Sequence, residues 1–170
     1  MTQHDVDINR VLIKPIYIGL LMNIFIPLVI LLAAYYIDST YERTPMLQPE
    51  ELNLLFWVLA AISIVDGVIA IILKQKMFYR PMVSSKETFE EDLINRGFAA
   101  SIVCFALTTA ISIYGLVFFI LGGTFTNLLF FVFISFIAFQ LIRPRHGFIQ
   151  KVIEVQGRLV NENRFYQPKK

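Results

Sequence analysis

Residues 97–142 read GFAASIVCFALTTAISIYGLVFFILGGTFTNLLFFVFISFIAFQLI and contain no Asp, Glu, Lys or Arg. A helix needs about 20 mainly apolar residues to cross the hydrocarbon core of a bilayer. The stretch is long enough for two such helices, 97–121 and 125–142, and Gly122-Gly123-Thr124 between them allows only a tight turn. The sequence therefore predicts an antiparallel hairpin of two transmembrane helices.

Two more apolar segments, 15–37 and 53–73, precede this hairpin. Pro27 lies inside the first of them and is predicted to kink its helix. Gln48-Pro49-Glu50-Glu51 is typical of a helix start, because acidic residues favour the positive end of the helix dipole. The predicted fold class is all-α, a polytopic membrane protein with four transmembrane helices.

The composition agrees with this class. Of the 170 residues, 56% are hydrophobic and 16% are charged, whereas an average globular domain has about 45–50% apolar and about 25% charged residues. The net charge of +2 argues against a nucleic-acid partner, since phosphate binding needs a concentrated basic face. The expected surroundings are a lipid bilayer.

The basic residues predict the orientation. All of the fifteen Lys and Arg residues except Arg43 lie before the first span, around the connection of the second and third spans, or after the fourth span. Because cytoplasmic segments carry the excess of Lys and Arg, both termini are predicted to be cytoplasmic in the cell (inner) membrane. The domains are then an N-terminal segment 1–14, a transmembrane bundle 15–142 and a basic tail 143–170.

Two cytoplasmic segments allow a further prediction. Within 147–160, apolar residues recur at helical spacing, which predicts an amphipathic C-terminal cytoplasmic helix that lies on the inner leaflet or docks on another subunit. The mixed-charge stretch 86–96 favours a solvated loop, with an N-terminal extension of the third helix as the alternative.

One ionisable residue, Asp66, lies deep inside a span. Asp66 and Asn23 are each predicted to lie roughly 12 Å from the cytoplasmic end of their helices, and Ser63 and Ser135 fall near the same level. These four side chains are the candidate intramembrane polar layer. In one interpretation Asp66 pairs with Asn23 or Ser63 and fixes packing. In the other, Asp66 belongs to a proton or cation path or pairs with a basic group of a partner.

The third helix carries a stripe of small residues at a spacing of three or four. Small side chains let helices approach closely in lipid, so the stripe predicts a helix-packing face, and Gly19, Ala60 and Gly67 offer complementary small positions on other helices. Other membrane subunits, or self-association through this helix, are the expected partners. The alternative is a surface that lines the path of a transported solute. The stripe comprises Gly97, Ser101, Cys104, Thr108, Ser112 and Gly115.

The sequence contains no pattern for catalysis or cofactor binding. It has one cysteine, Cys104, and two isolated histidines, so no metal motif is expected. A nucleophile elbow and a phosphate-binding glycine loop are also absent from the sequence. The predictions are therefore no cofactor, no metal and no enzymatic activity.

Thr109-Ala110-Ile111-Ser112-Ile113-Tyr114-Gly115-Leu116-Val117 resembles the second helix of the proteolipid c-subunits of rotary ATP synthases. The resemblance implies a helical hairpin with a cytoplasmic loop, and an ion-binding carboxylate just before the motif. Thr109 occupies the carboxylate position here, so that role does not carry over. The nearest carboxylate is Asp66, on the preceding span.

We therefore expect a small accessory or assembly subunit of a larger membrane complex, most plausibly an energy-transducing one. The alternative is a proton- or cation-translocating, proteolipid-like protein centred on Asp66. An enzyme acting on lipids has the least support, because no catalytic constellation is visible.

Overall fold

The computed structural model describes residues 7–167, and these residues contain helices and short connections but no strand. The helices are α1 (Ile8–Thr40), α2 (Pro49–Tyr79), α3 (Phe89–Ile120), α4 (Phe125–Ile142) and α5 (His146–Asn161). Helices α1 to α4 are long and apolar enough to cross a membrane, which confirms the all-α class and the four predicted spans. Predictions that concern residues 1–6 and 168–170 lie outside the described residues.

The helices extend beyond the apolar segments that predicted them. Helix α1 begins at Ile8 and α2 ends at Tyr79, in sequence that is too polar for a membrane core. Helix α3 begins at Phe89, so the predicted loop over 86–96 is wrong from that residue onward. The physical reason is Asp92, whose carboxylate accepts hydrogen bonds from the Ser84 N–H (2.7 Å) and the Thr88 hydroxyl (2.9 Å) and so fixes the first turn.

At the kink predicted for Pro27, the structure has a widened helical turn, and the helix continues through it. Residues Leu21–Phe25 form a π-helical turn inside α1, and the Ile26 N–H donates to the Leu21 carbonyl. Proline has no N–H and its ring crowds the preceding turn, and a widened turn is a common way for a helix to absorb such a residue. Asn23 lies at the centre of this turn and is buried.

Helix α3 is the centre of the bundle. It packs against α1, α2 and α4, and α4 also contacts α1 and α2. Because α1 and α2 have little contact with each other among the described residues, they lie on opposite sides of the α3–α4 hairpin. In the most apolar window of each helix, 50% of α3 residues are buried but only 17% in α1 and in α2.

Helix α5 covers the end of the bundle where α1 begins and α2 ends, which we call the basic end. Ile149 and Val152 of α5 pack against Val11, Leu12 and Phe78. The apolar side of α5 is therefore covered within the chain itself. Burial of this apolar side therefore needs neither the inner leaflet nor another subunit, the two surfaces that the sequence suggested for it.

Gln156 of α5 joins the helix to the rest of the basic end. Its side chain is fully buried. Its amide nitrogen donates to the Phe78 carbonyl (3.0 Å) and the Arg80 carbonyl (2.7 Å), and its oxygen accepts from the Met82 N–H (2.9 Å). Gln156 thus satisfies backbone groups that the end of α2 leaves without helical partners.

Candidate functional site

A closed polar cluster lies between α1, α3 and α4, and we call it the Asn23 cluster: Asn23, Thr108, Thr109 and Ser135. The Asn23 side-chain oxygen accepts from the hydroxyls of Thr108 (2.6 Å) and Thr109 (3.3 Å). The Ser135 hydroxyl donates to the Thr108 carbonyl (2.7 Å). All four residues are at most 5% exposed, so the cluster is sealed from its surroundings and its polar groups bond one another.

A second polar contact lies between α2 and α3, and we call it the Asp66–Tyr114 pair. The Tyr114 hydroxyl donates to Oδ2 of Asp66 at 2.7 Å. Oδ1 of Asp66 has no hydrogen-bond partner among residues 7–167 and is not among their buried unpaired atoms. Both residues are half-buried, so this carboxylate is accessible from outside the bundle.

The structure therefore divides the predicted polar layer. It joins Asn23 and Ser135 through Thr108 and places Asp66 on the other side of the α3–α4 hairpin. Ser63 donates to the Leu59 carbonyl of its own helix at 2.8 Å. The four side chains therefore do not form one hydrogen-bonded network, because α1 and α2 face different sides of the hairpin.

The similar depth of these groups does agree with the prediction. A Cβ placed on Gly67, beside Asp66, would lie 3.9 Å from Cβ of Ala138. Ala138 is three residues from Ser135, which corresponds to about 4.5 Å along a helix. The Asp66–Tyr114 pair and the Asn23 cluster therefore lie within about one helical turn of each other in level.

The small-residue stripe of α3 is buried inside this chain. All six residues of the predicted stripe are buried. A Cβ on Gly115 would lie 2.7 Å from Cβ of Phe131, and Cys104 packs with Phe105 and Phe139. Because its own helices cover the stripe, the stripe offers no free surface to another subunit or to a solute. The stripe is thus a helix-packing face within this chain, and association of the third helix with other membrane subunits or with a second copy stays a prediction.

One stripe residue has an unsatisfied polar atom. The Ser112 hydroxyl is buried and has no hydrogen-bond partner among the described residues. In a helix a serine often bonds the carbonyl four residues earlier, but the Thr108 carbonyl already accepts from Ser135.

Sequence reasoning missed Tyr114 as the partner of Asp66. Tyr114 lies in the proteolipid-like motif 109–117, and no spacing rule relates positions 66 and 114. A tyrosine inside an apolar span was the available signal, since a buried phenol usually finds a hydrogen-bond partner.

Arg43 was also missed as a structural residue. At the end opposite the basic end, its guanidinium donates to the carbonyls of Phe119 (2.7 Å) and Gly123 (3.2 Å) and pairs with Asp38 (2.7 Å). It therefore caps the turn between α3 and α4.

An open cleft of about 420 Å³ lies beside this turn, between the start of α2 and the start of α4. Phe56, Trp57 and Phe118 form its apolar wall, and Asn53 and Asn127 contribute amides. No charged residue lines it, and residues 7–167 contain no group of three or more His, Cys, Asp or Glu that could hold a metal ion. Within the apolar segments 15–37, 53–73, 97–121 and 125–142, Asp66 is the one Asp, Glu, Lys or Arg.

The fold is consistent with a multi-pass α-helical membrane protein. Comparison of the chain with protein-family models, with curated protein sequences and with solved structures found no match. What the protein does is therefore inferred from its own residues.

Proposed function

We propose that this protein is a non-enzymatic accessory or assembly subunit of a larger membrane complex, and that it binds its partner through α2. The observation that supports this function best is the half-buried Asp66 carboxylate, of which only Oδ2 is hydrogen-bonded among residues 7–167. A carboxylate inside a bilayer is expensive unless a partner satisfies it, and lipid tails offer no donor.

The surface around Asp66 fits a helical partner. Ile62, Val65, Ile69 and Ile72 follow a helical spacing of three or four along the same part of α2, and each is between 39% and 54% exposed. These side chains form an apolar stripe with Asp66 at its edge, and we call it the α2 stripe. A transmembrane helix that lies on the stripe would bring one polar side chain to the level of Asp66.

The charge of Asp66 defines the chemistry of that partner residue. Oδ1 is an acceptor without a donor, so the partner helix should present a Lys, Arg or neutral hydrogen-bond donor at this level. The position of the basic residues supports an inner-membrane location with both termini cytoplasmic. An energy-transducing complex fits this proposal, because intramembrane ionisable residues are common in such assemblies.

Purification of the tagged full-length protein from its native membranes in mild detergent, followed by native mass spectrometry, tests the proposal. We expect a defined hetero-complex whose partner carries a donor residue in one span. Asp66→Asn keeps the shape of the side chain and should reduce recovery of that partner about tenfold, which corresponds to about 1.4 kcal/mol.

Two matched variants locate the contact. Ile69→Trp places a bulky group on the α2 stripe and should also release the partner. Ile64→Trp is the control, because Ile64 is 63% exposed but points away from the stripe. A chain that purifies as a lone monomer, or that loses its partner equally in both variants, would contradict the proposal.

A second candidate is proton or cation translocation by a homo-oligomer centred on Asp66. The observation that favours it is the hydrogen bond from Tyr114, because Tyr114 belongs to the motif that resembles the proteolipids. The purified protein in liposomes should then form a homo-oligomer with an ion flux that Asp66→Asn abolishes. Absence of flux from the wild-type oligomer would exclude this candidate.

A further inference from the structure

We propose that Lys74, Arg143 and Arg145 form a binding site for the phosphate of an anionic phospholipid at the basic end of the bundle. This inference is independent of the proposed function. Lys74 lies near the end of α2, and the two arginines lie in the connection between α4 and α5.

Contacts within the chain hold Lys74 at the connection that contains Arg143 and fold Arg145 back over the end of α4. Nζ of Lys74 donates to the Arg143 carbonyl at 3.3 Å and lies 4.2 Å from the centre of the Phe148 ring. The Lys74 side chain is therefore held at the connection. The Arg145 guanidinium turns back to the Gln140 carbonyl at 3.4 Å, and Arg143 and Arg145 are both exposed.

No acidic side chain neutralises this group. The ion pairs among residues 7–167 involve Arg10, Arg43, Arg96 and Arg164, so none of them includes the three cations of the site. Helix α4 contains no Asp or Glu, and the first one in α5 is Glu154. Like charges held close together repel one another, and a bound anion removes that cost.

The neighbouring surface selects a lipid over a free anion. Ile71 lies three residues before Lys74 on the same side of α2, and Leu141 lies two residues before Arg143. Both are closer to the centre of the bundle than the cations and are 37% and 59% exposed, respectively. The site therefore combines a cationic end with an exposed apolar surface, as the phosphate and acyl chains of a phospholipid require. Basic groups at the ends of transmembrane helices bind anionic headgroups in this way.

The start of α5 adds to the attraction. Arg145 is the residue that precedes the helix, and no side chain caps its first N–H groups. A Cβ on Gly147 would meet no atom within 4 Å, so there is open space beside these donors. The positive end of the helix dipole favours an anion there.

Native mass spectrometry of the full-length protein in mild detergent tests the site. Phosphatidylglycerol is titrated against phosphatidylcholine, which has no net charge. We expect the wild-type protein to retain phosphatidylglycerol preferentially, and Lys74→Gln/Arg145→Gln to lower its apparent affinity at least about tenfold, because two of the three cations near the headgroup are lost.

The matched control is Lys76→Gln/Lys151→Gln. Both lysines are exposed, and this variant removes the same charge away from the site, so its affinity should stay near that of the wild type. The Arg145 side chain makes one hydrogen bond among residues 7–167, to the Gln140 carbonyl. Arg145→Gln alone should therefore lower the affinity severalfold even if the double variant folds poorly. Equal losses in both double variants would overturn the site.

Inorganic phosphate distinguishes the lipid from a free anion. Millimolar phosphate should leave bound phosphatidylglycerol in place, because the apolar surface adds to the affinity for the lipid alone. Displacement of the lipid by phosphate at that concentration would overturn the assignment to a phospholipid.

Discussion

Helix α3 has polar contacts on two sides, and the two sides differ in how completely they are satisfied. Towards α1 and α4, the Asn23 cluster is sealed, and each of its side chains has a partner inside the chain. Towards α2, the Asp66–Tyr114 pair is half-buried and one carboxylate oxygen has no partner in the described residues. The sealed cluster resembles a device for fixing helix packing, whereas the open pair has the features of a contact that another molecule completes.

We call the side of α3 that faces α1 and α4 the sealed side and the side that faces α2 the open side. The largest expected difference between them is the space available for an added methyl group. Gly115→Ala on the sealed side would place Cβ 2.7 Å from Cβ of the fully buried Phe131. It should lower the free energy of unfolding by about 1–3 kcal/mol. Gly67→Ala on the open side meets only an ordinary contact at 3.9 Å and should be neutral or stabilising, because alanine favours a helix. Unfolding in mixed SDS micelles, followed by circular dichroism, measures both, and equal losses would contradict the distinction.

Removal of a hydroxyl should have the next largest effect. Thr108→Val keeps the side-chain shape but leaves the buried Asn23 oxygen with only the long bond from Thr109. We expect a loss of about 1–2 kcal/mol in the free energy of unfolding. Tyr114→Phe should cost about 0.5 kcal/mol or less, because Asp66 remains accessible. If Tyr114→Phe proved the more destabilising variant in the same unfolding assay, the open pair would be a folding element instead.

The smallest expected effect on stability comes from removing the hydroxyl of Ser135 or Ser112. Ser135→Ala removes the donor to the Thr108 carbonyl and should cost about 0.6 kcal/mol, the typical value for a hydrogen bond between membrane helices. Ser112→Ala removes a buried hydroxyl that has no partner in the described residues and should leave stability unchanged or raise it slightly. Thermal unfolding of the two variants, measured in parallel, tests this prediction. A marked loss of stability in Ser112→Ala would reveal a partner for that hydroxyl.

The candidate site was predicted only in part. Counting residues along each helix placed Asp66, Asn23 and Ser135 at a similar level, because the rise per residue is constant. The same count does not say which neighbour each helix faces. Tyr114, which the sequence offered only as part of a motif, became the partner of Asp66 once α2 and α3 were packed together.

The basic end shows the same limit. The periodicity of 147–160 indicated a helix with one apolar side, and the structure contains α5 over His146–Asn161. What covers that side was not predictable, since a membrane surface, a partner and the chain itself all offer apolar contacts. Val11, Phe78 and Leu93 provide the cover, although they lie far apart in the sequence.

Four helices long and apolar enough to cross a membrane were predictable from the sequence, because apolar length and charge are local properties of a segment. The position of Asp66 within one of those helices was predictable in the same way. The packing of the helices was needed to show that the α3 stripe is buried, that Asn23 and Ser135 share one sealed cluster, and that Asp66 is left accessible beside Tyr114. The rotation of each helix about its axis depends on the packing of all its neighbours at once, and no single segment contains that information.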